Sequence, residues 1–208
     1  PAAIPRDDRL KFFVSMHALE AGIYDECTGS KGQMEQALAG LDRIVAAGHQ
    51  TVVNTVITAA NLEHLSVMAQ ELPERFDPTN RPVWHLSVLI CPENRPQAAD
   101  YLVPYSKLVP TAEAAVALAT KKGMVVDSLL SSTHASVPAC VVPSEHRHTA
   151  SRPTLEAEET GYEDFTRAWV KANKCRQCME DKHCLGVPKP YALRFGLDEL
   201  EPLGPSLA

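Results

Sequence analysis

Short apolar runs and amphipathic stretches alternate along the first two thirds of the chain. Leu10–Met16 (LKFFVSM) is a compact apolar run that predicts a strand, followed by a loop rich in Gly, Asp and Thr from Gly22 to Gly32. Gln33–Ala47 sets Met34, Leu38, Leu41, Ile44 and Val45 on one helical face, with Gly48 as its stop. Thr51–Thr58 (TVVNTVIT) is β-branched and reads as a buried strand. Asn61 suits the N-cap of a helix running to about Leu72, with Glu63 and His64 in its first turn. Val83–Ile90 predicts a third strand, Thr111–Lys122 an Ala-rich helix beginning beside Pro110, and Met124–Leu130 a fourth strand. Strands alternating with helices of this length imply βαβ units and a parallel sheet under helical cover, an α/β fold, whether barrel or open sheet.

After Leu130 the pattern breaks. Residues 131–160 are rich in Ser, Thr, His, Pro and Glu, apart from a short apolar bracket around Cys140, VPACVVP. Gly161–Ala172 predicts an amphipathic helix with Tyr162, Phe165, Trp169 and Ala172 inward, leading into Cys175. The tail from Tyr191 to Leu203 holds too few apolar residues to fold without the cysteines beside it. The chain therefore divides into residues 1–130 and a small Cys-rich part, 131–208.

The 208 residues carry a net charge of −6 and no basic face, which argues against a nucleic-acid partner. No apolar run approaches the roughly 20 residues that span a bilayer, so no membrane association is expected, and the protein reads as soluble and cytoplasmic. In that compartment six cysteines do not form a disulfide framework.

Three of them fall in KCRQCMEDKHCLG, a Cys175-x2-Cys178-x5-Cys184 run. Two cysteines three positions apart bring both sulfurs onto one centre, with the amide groups of the turn facing them. A third Cys closes the loop, and Gly186 allows tight backbone passage. Thiolate ligation suits zinc or an iron–sulfur cluster and excludes hard cations. On spacing alone the two are nearly even, with zinc slightly ahead; a redox dithiol or three incidental thiols are the remaining alternatives. Cys140 is the candidate fourth ligand, ahead of His183, whose adjacency to Cys184 makes joint ligation awkward. His134, His146 and His148 read as loop histidines, and Cys27 and Cys91 as small core or loop residues.

A second set lies at the predicted strand ends: Ser15 and His17 after the first, Asn54 and Thr58 in the second, and Asn61 beyond it. Ligands of parallel α/β sheets bind at the carboxyl ends of strands. Ser15 and Asn54 sit within apolar strands and need partners if buried.

Taken in order, these segments resemble the radical S-adenosylmethionine enzymes. Ser15-Met16-His17 resembles the family's Ser-Leu-His or Ser-Leu-Asp strand end, Asp25, Thr28 and Gly29 its following loop, and Asn54 and Asn61 its next strand and helix opening. Cys140, Cys175, Cys178 and Cys184, followed by Gly186, Tyr191 and Gly196, resemble the auxiliary-cluster extension of the branch that matures peptides and cofactors. The resemblance implies a partial (βα)6 TIM-like barrel, from about its fourth strand onward, with a small Cys-rich C-terminal extension. It implies S-adenosylmethionine contacts at Ser15, Asn54 and Thr58, a substrate contact at His17, and an auxiliary [4Fe–4S] cluster on Cys140, Cys175, Cys178 and Cys184. A peptide or small-molecule substrate and a reductant protein follow as partners. The family's Cys-x3-Cys-x2-Cys and its Gly-Gly-Glu-Pro stretch are absent from these 208 residues. With Pro1 in first place, the expectation is an excerpt, a truncated gene or half of a split enzyme whose partner chain supplies the first cluster, inactive alone, with an unpaired edge on its first strand. The rival expectation is a non-enzymatic α/β binding module with a structural zinc held by the same four cysteines.

Overall fold

The computed structural model describes residues 9–91, 96–127, 137–143, 168–182 and 184–204. The chain divides into two units, Pro1–Ser87 with Pro110–Ser128, and Val88–Val109 with Leu129–Ala208.

The first unit is built on four neighbouring parallel strands in chain order: β1 (Lys11–Ser15), β2 (Gln50–Ile57), β3 (Val83–Val88) and β4 (Val126–Asp127). The β-branched residues of β2 suit its place inside the sheet, where Val53, Thr55 and Ile57 are almost wholly buried. Register pairs Ser15 with Asn54 and His85 with Asp127. Among the described strands β1 is an edge, and its Phe13 is 60% exposed.

Parallel strands in sequential order with right-handed connections place the connecting helices on one face. Helix α2 (Met34–Ala46) buries Met34, Leu38, Leu41 and Val45, the predicted stripe. Helix α3 (Leu65–Arg75) buries Leu65, Met68, Ala69 and Leu72. Strand residues of one parity, Val53, Thr55, Ile57, Trp84 and Leu86, are buried. Trp84 Nε1–H donates to Thr55 Oγ1 at 2.9 Å, and Thr55 Oγ1 donates in turn to the Met16 carbonyl at 2.6 Å, so these buried polar groups are satisfied. The opposite parity carries Phe13, Ser15, Asn54, His85 and Ser87, a more polar and more open face.

Five elements differ from expectation. Residues Ala21–Thr28, expected as loop, form helix α1. Glu20 accepts from Gly22 N–H at its start, and Gly29, at φ 67°, ends it by donating to the Asp25 carbonyl. Only Tyr24 of this helix is buried, so no apolar stripe exists to announce it. Helix α3 begins at Leu65, not at Asn61, whose side chain is used elsewhere. Helix α4 (Tyr105–Lys121) begins six residues before Thr111 and takes Pro110 into its interior. The third strand ends at Val88, and the fourth begins at Val126 rather than Met124, its expected course past Asp127 lying outside the described residues.

In the second unit, β5 (Trp169–Val170) pairs antiparallel with β6 (Val187–Pro188), and α5 (Lys189–Phe195) follows directly. Trp169 and Val170 are thus strand, not the end of a helix; residues 161–167 lie outside the described residues, as do His134, His146, His148 and His183. Short 3-10 turns cover Ala139–Val141 and Asn173–Gln177. The tail beyond α5 docks through Glu199. Its carboxylate accepts from the N–H groups of Tyr105 (3.0 Å) and Ser106 (3.3 Å) at the start of α4, from the Ser106 hydroxyl (2.6 Å) and from the Tyr191 phenol. An anion at a helix N-terminus satisfies its unpaired donors. Burial pushes the Glu199 pKa up, but the hydrogen bonds from Ser106, Tyr191 and Tyr105 outweigh it and hold the carboxyl below its ordinary range. Tyr105 and Tyr191 stack at 4.1 Å.

Candidate metal centre

Cys140, Cys175, Cys178 and Cys184 line one cavity, together with Pro138, Lys171, Asp181, Gly186, Leu200 and Pro202. The cavity is small and partly open to solvent. Each sulfur arrives by local turn chemistry. Pro138 is extended and starts the 3-10 turn that carries Cys140. Cys175 sits in the turn Asn173–Gln177, and the Cys178 N–H closes it on the Cys175 carbonyl at 2.9 Å. The Cys184 N–H then returns to the Glu180 carbonyl at 2.8 Å. All four cysteines are free and half-buried.

Backbone donors face the sulfurs. Gly186 N–H donates to Cys184 Sγ at 3.2 Å and Leu203 N–H to Cys178 Sγ at 3.4 Å. The backbone of Glu201 bonds to Cys140. Such bonds favour the thiolate over the thiol. Without a cation they do not suffice. Burial, then the neighbouring Cys184, Cys178 and Cys175, push the Cys140 thiol up to about 11. Burial likewise raises Cys184, against the Gly186 N–H and the Lys171 charge. Positive charge brought among the sulfurs would favour the thiolate forms of Cys140 and Cys184.

By donor chemistry, thiolates would suit a soft centre, zinc or iron–sulfur, rather than a hard cation. Among the described residues no three His, Cys, Asp or Glu side chains are grouped as ligands of a single metal ion. A mononuclear tetrahedral zinc site, with Zn–S near 2.3 Å, draws its sulfurs to about 3.8 Å of one another.

Gly186 is required by this geometry. Its φ is +85°, and a Cβ there would lie 2.1 Å from the Val170 carbonyl oxygen and 2.8 Å from Lys171 Cγ. The stem of Lys171 occupies the space that a side chain at 186 would need.

In the first unit, Ser15 and Asn54 stand side by side on β1 and β2, and Asn54 Oδ1 accepts from Ser87 Oγ at 3.2 Å. Ser15 is exposed and Asn54 partly so. Thr58 is buried beyond the end of β2; its N–H (2.8 Å) and Oγ1 (3.2 Å) both donate to Asn61 Oδ1. Asn61 is fully buried, and its Nδ2 donates to the carbonyls of His17 and Val56, each at 2.9 Å. It clasps the ends of β1 and β2 rather than capping α3. Asn61→Ala removes these four bonds and strands a buried N–H, so it should cost roughly 2–4 kcal/mol. A loss of unfolding free energy in urea of less than about 0.5 kcal/mol would contradict the clasp.

His17 is held beside it. Its Nδ1 accepts the Val56 N–H at 3.2 Å, and burial lowers its pKa from 6.5. The folded chain thus keeps His17 neutral where the unfolded chain binds a proton. Its contribution to stability is complete above about pH 6.5 and is lost as pH falls through the lowered folded value. Urea midpoints at about pH 7.5 and about pH 5.5 should differ more for the wild type than for His17→Gln; equal differences would remove His17 from this role.

Sequence reasoning did not find Lys171, Glu199 or the backbone donors at Glu201 and Leu203. The donors have no signature, since any residue but proline supplies an N–H. Comparison with protein-family models, curated proteins and solved structures finds no match to this chain. No helix among the described residues is long and apolar enough to cross a membrane.

Proposed function

We propose that the second unit holds an auxiliary iron–sulfur cluster on Cys140, Cys175, Cys178 and Cys184, within a portion of a radical S-adenosylmethionine enzyme. The convergence of four cysteines from separate turns on one cavity, with backbone N–H groups directed at their sulfurs, carries the cluster half of this reading. When bound, such a cluster supplies one-electron transfer at a potential set by hydrogen bonds to sulfur, charge and solvent access. The chain's own part is to hold four thiolates, donate to them from the backbone, and limit water with Leu200, Pro138 and Pro202.

The S-adenosylmethionine half rests on the family resemblance. Sequential parallel strands with helices on one face are compatible with a piece of a barrel, and the open face offers Ser15 and Asn54 side by side as polar contacts. Thr58 has its hydroxyl engaged by Asn61, which leaves Asn54 and Ser15 as the proposed contacts. His17 retains a proposed substrate contact through the ring atom not bonded to Val56. A peptide or small molecule is the proposed substrate.

Saturation-transfer NMR with S-adenosylmethionine tests this half. The expected result is a signal from the ribose or methionine protons that fades with Asn54→Ala. No transfer at millimolar ligand contradicts the cofactor role and leaves the cluster role to its own tests.

A further inference from the structure

We infer that the Lys171–Asp181 ion pair on the cavity wall sets the reduction potential of the centre held by the four cysteines. The inference rests on the reading of that cavity as an iron–sulfur site. Both residues line the cavity together with all four cysteines. Lys171 Nζ lies 3.0 Å from Asp181 Oδ1 and also donates to the Asp181 carbonyl, so the ammonium is tethered at two points rather than left to swing into solvent. Asp181 is fixed in turn, because its N–H donates to the Cys178 carbonyl at 3.0 Å, inside the cysteine loop itself.

The space for this arrangement is built in. At Gly186, immediately after the last cysteine turn, any side chain would collide with Lys171 Cγ and the Val170 carbonyl. The glycine both donates its N–H to Cys184 Sγ and admits the lysine stem. The side chains of Lys171 and Asp181 are about one-third exposed, 33% and 37%, so solvent screens but does not abolish their charges.

Reduction adds one electron to the centre and makes it more negative. A fixed ammonium nearby stabilises the reduced state and raises the potential; a fixed carboxylate does the reverse. Removing one member of the pair therefore moves the potential in a direction set by the charge that remains. Lys171→Met leaves Asp181 uncompensated and should lower the midpoint. Asp181→Asn leaves Lys171 uncompensated and should raise it. Lys171→Arg keeps the charge and should stay close to the wild type.

The experiment is an anaerobic potentiometric titration of each reconstituted variant, with dithionite as reductant and iron counted in the same samples. About a tenfold change in the reduction equilibrium, or about 59 mV for a one-electron couple, is expected in opposite directions for Lys171→Met and Asp181→Asn. Iron-loaded variants whose midpoints match the wild type, or shift in the same direction, overturn the inference while leaving the cluster in place. Wild-type protein that takes up zinc and no iron overturns the cluster reading and this inference together. Should Lys171→Met fail to load, Asp181→Asn against the wild type decides alone, a midpoint that does not rise counting against the pair.

Discussion

On the proposed cluster reading, Cys184→Ser should lower the iron content of reconstituted protein by at least about tenfold, while Cys27→Ser leaves it unchanged. Cys184 closes the loop begun by Cys175 and Cys178, lines the shared cavity and receives the Gly186 N–H. A serine oxygen in its place is a hard donor with a proton that does not leave at neutral pH, poorly suited to a soft centre. Cys27 belongs to the first unit, where it contacts Thr58 Oγ1 at 3.6 Å. The loss should reach stability too, because metal-binding free energy in a small unit is folding free energy. The described cysteine-bearing segments bury few large apolar side chains, chiefly Val137, Val142, Val187, Tyr191 and Leu200. A core of that size needs a staple. Cys140→Ala should behave like Cys184→Ser; iron content and visible spectrum unaltered by it would take Cys140 out of the site.

Gly186→Ala should be the most damaging single substitution outside the cysteines. The added Cβ meets a carbonyl oxygen at 2.1 Å, and that oxygen belongs to Val170 of β5, paired with Val187 of β6. A flexible neighbour could turn aside, but a strand backbone cannot do so without leaving its partner. The left-handed φ of +85° adds strain for any residue but glycine. Together these should cost roughly 3 kcal/mol or more, read as a melting temperature lower by about 10 °C or more. Gly40→Ala is the contrasting variant. Gly40 lies in α2 with nothing within 4 Å of an added Cβ, and alanine there should stabilise by about 0.5–1 kcal/mol. Equal melting temperatures for Gly186→Ala and the wild type would contradict the packing described around β5.

Where packing dictates a periodic pattern, the fold was legible from residues alone. The β-branched run of β2 and the stripe of α2 advertise themselves because each buries a full face. Helix α1 was hidden because it buries a single side chain, so its polar composition resembles loop. The start of α4 was masked by Pro110, a residue that ordinarily ends or opens a helix; here the helix is anchored upstream by Glu199, 94 residues away from Tyr105. Asn61 carried the signature of a cap and serves as one for strand ends, since the same amide can satisfy any cluster of loose backbone groups.

The candidate centre divides in the same way. Cys-x2-Cys spacing makes the Cys175–Cys178 turn predictable, and the proline-flanked bracket singles out Cys140. What spacing cannot carry is the environment of the sulfurs. Lys171 and Asp181 are ordinary charged residues until the turns bring them to the cavity wall, and the donors at Glu201 and Leu203 depend on how the tail lies.

Everything proposed for the second unit depends on what the four cysteines hold. Metal and acid-labile sulfide counting on anaerobically purified protein, with its visible spectrum, reads this directly. The expected result is about four iron and about four sulfide per chain, with a broad thiolate-to-iron absorption roughly near 400 nm that dithionite bleaches. A single zinc per chain, no sulfide and no visible band would contradict it.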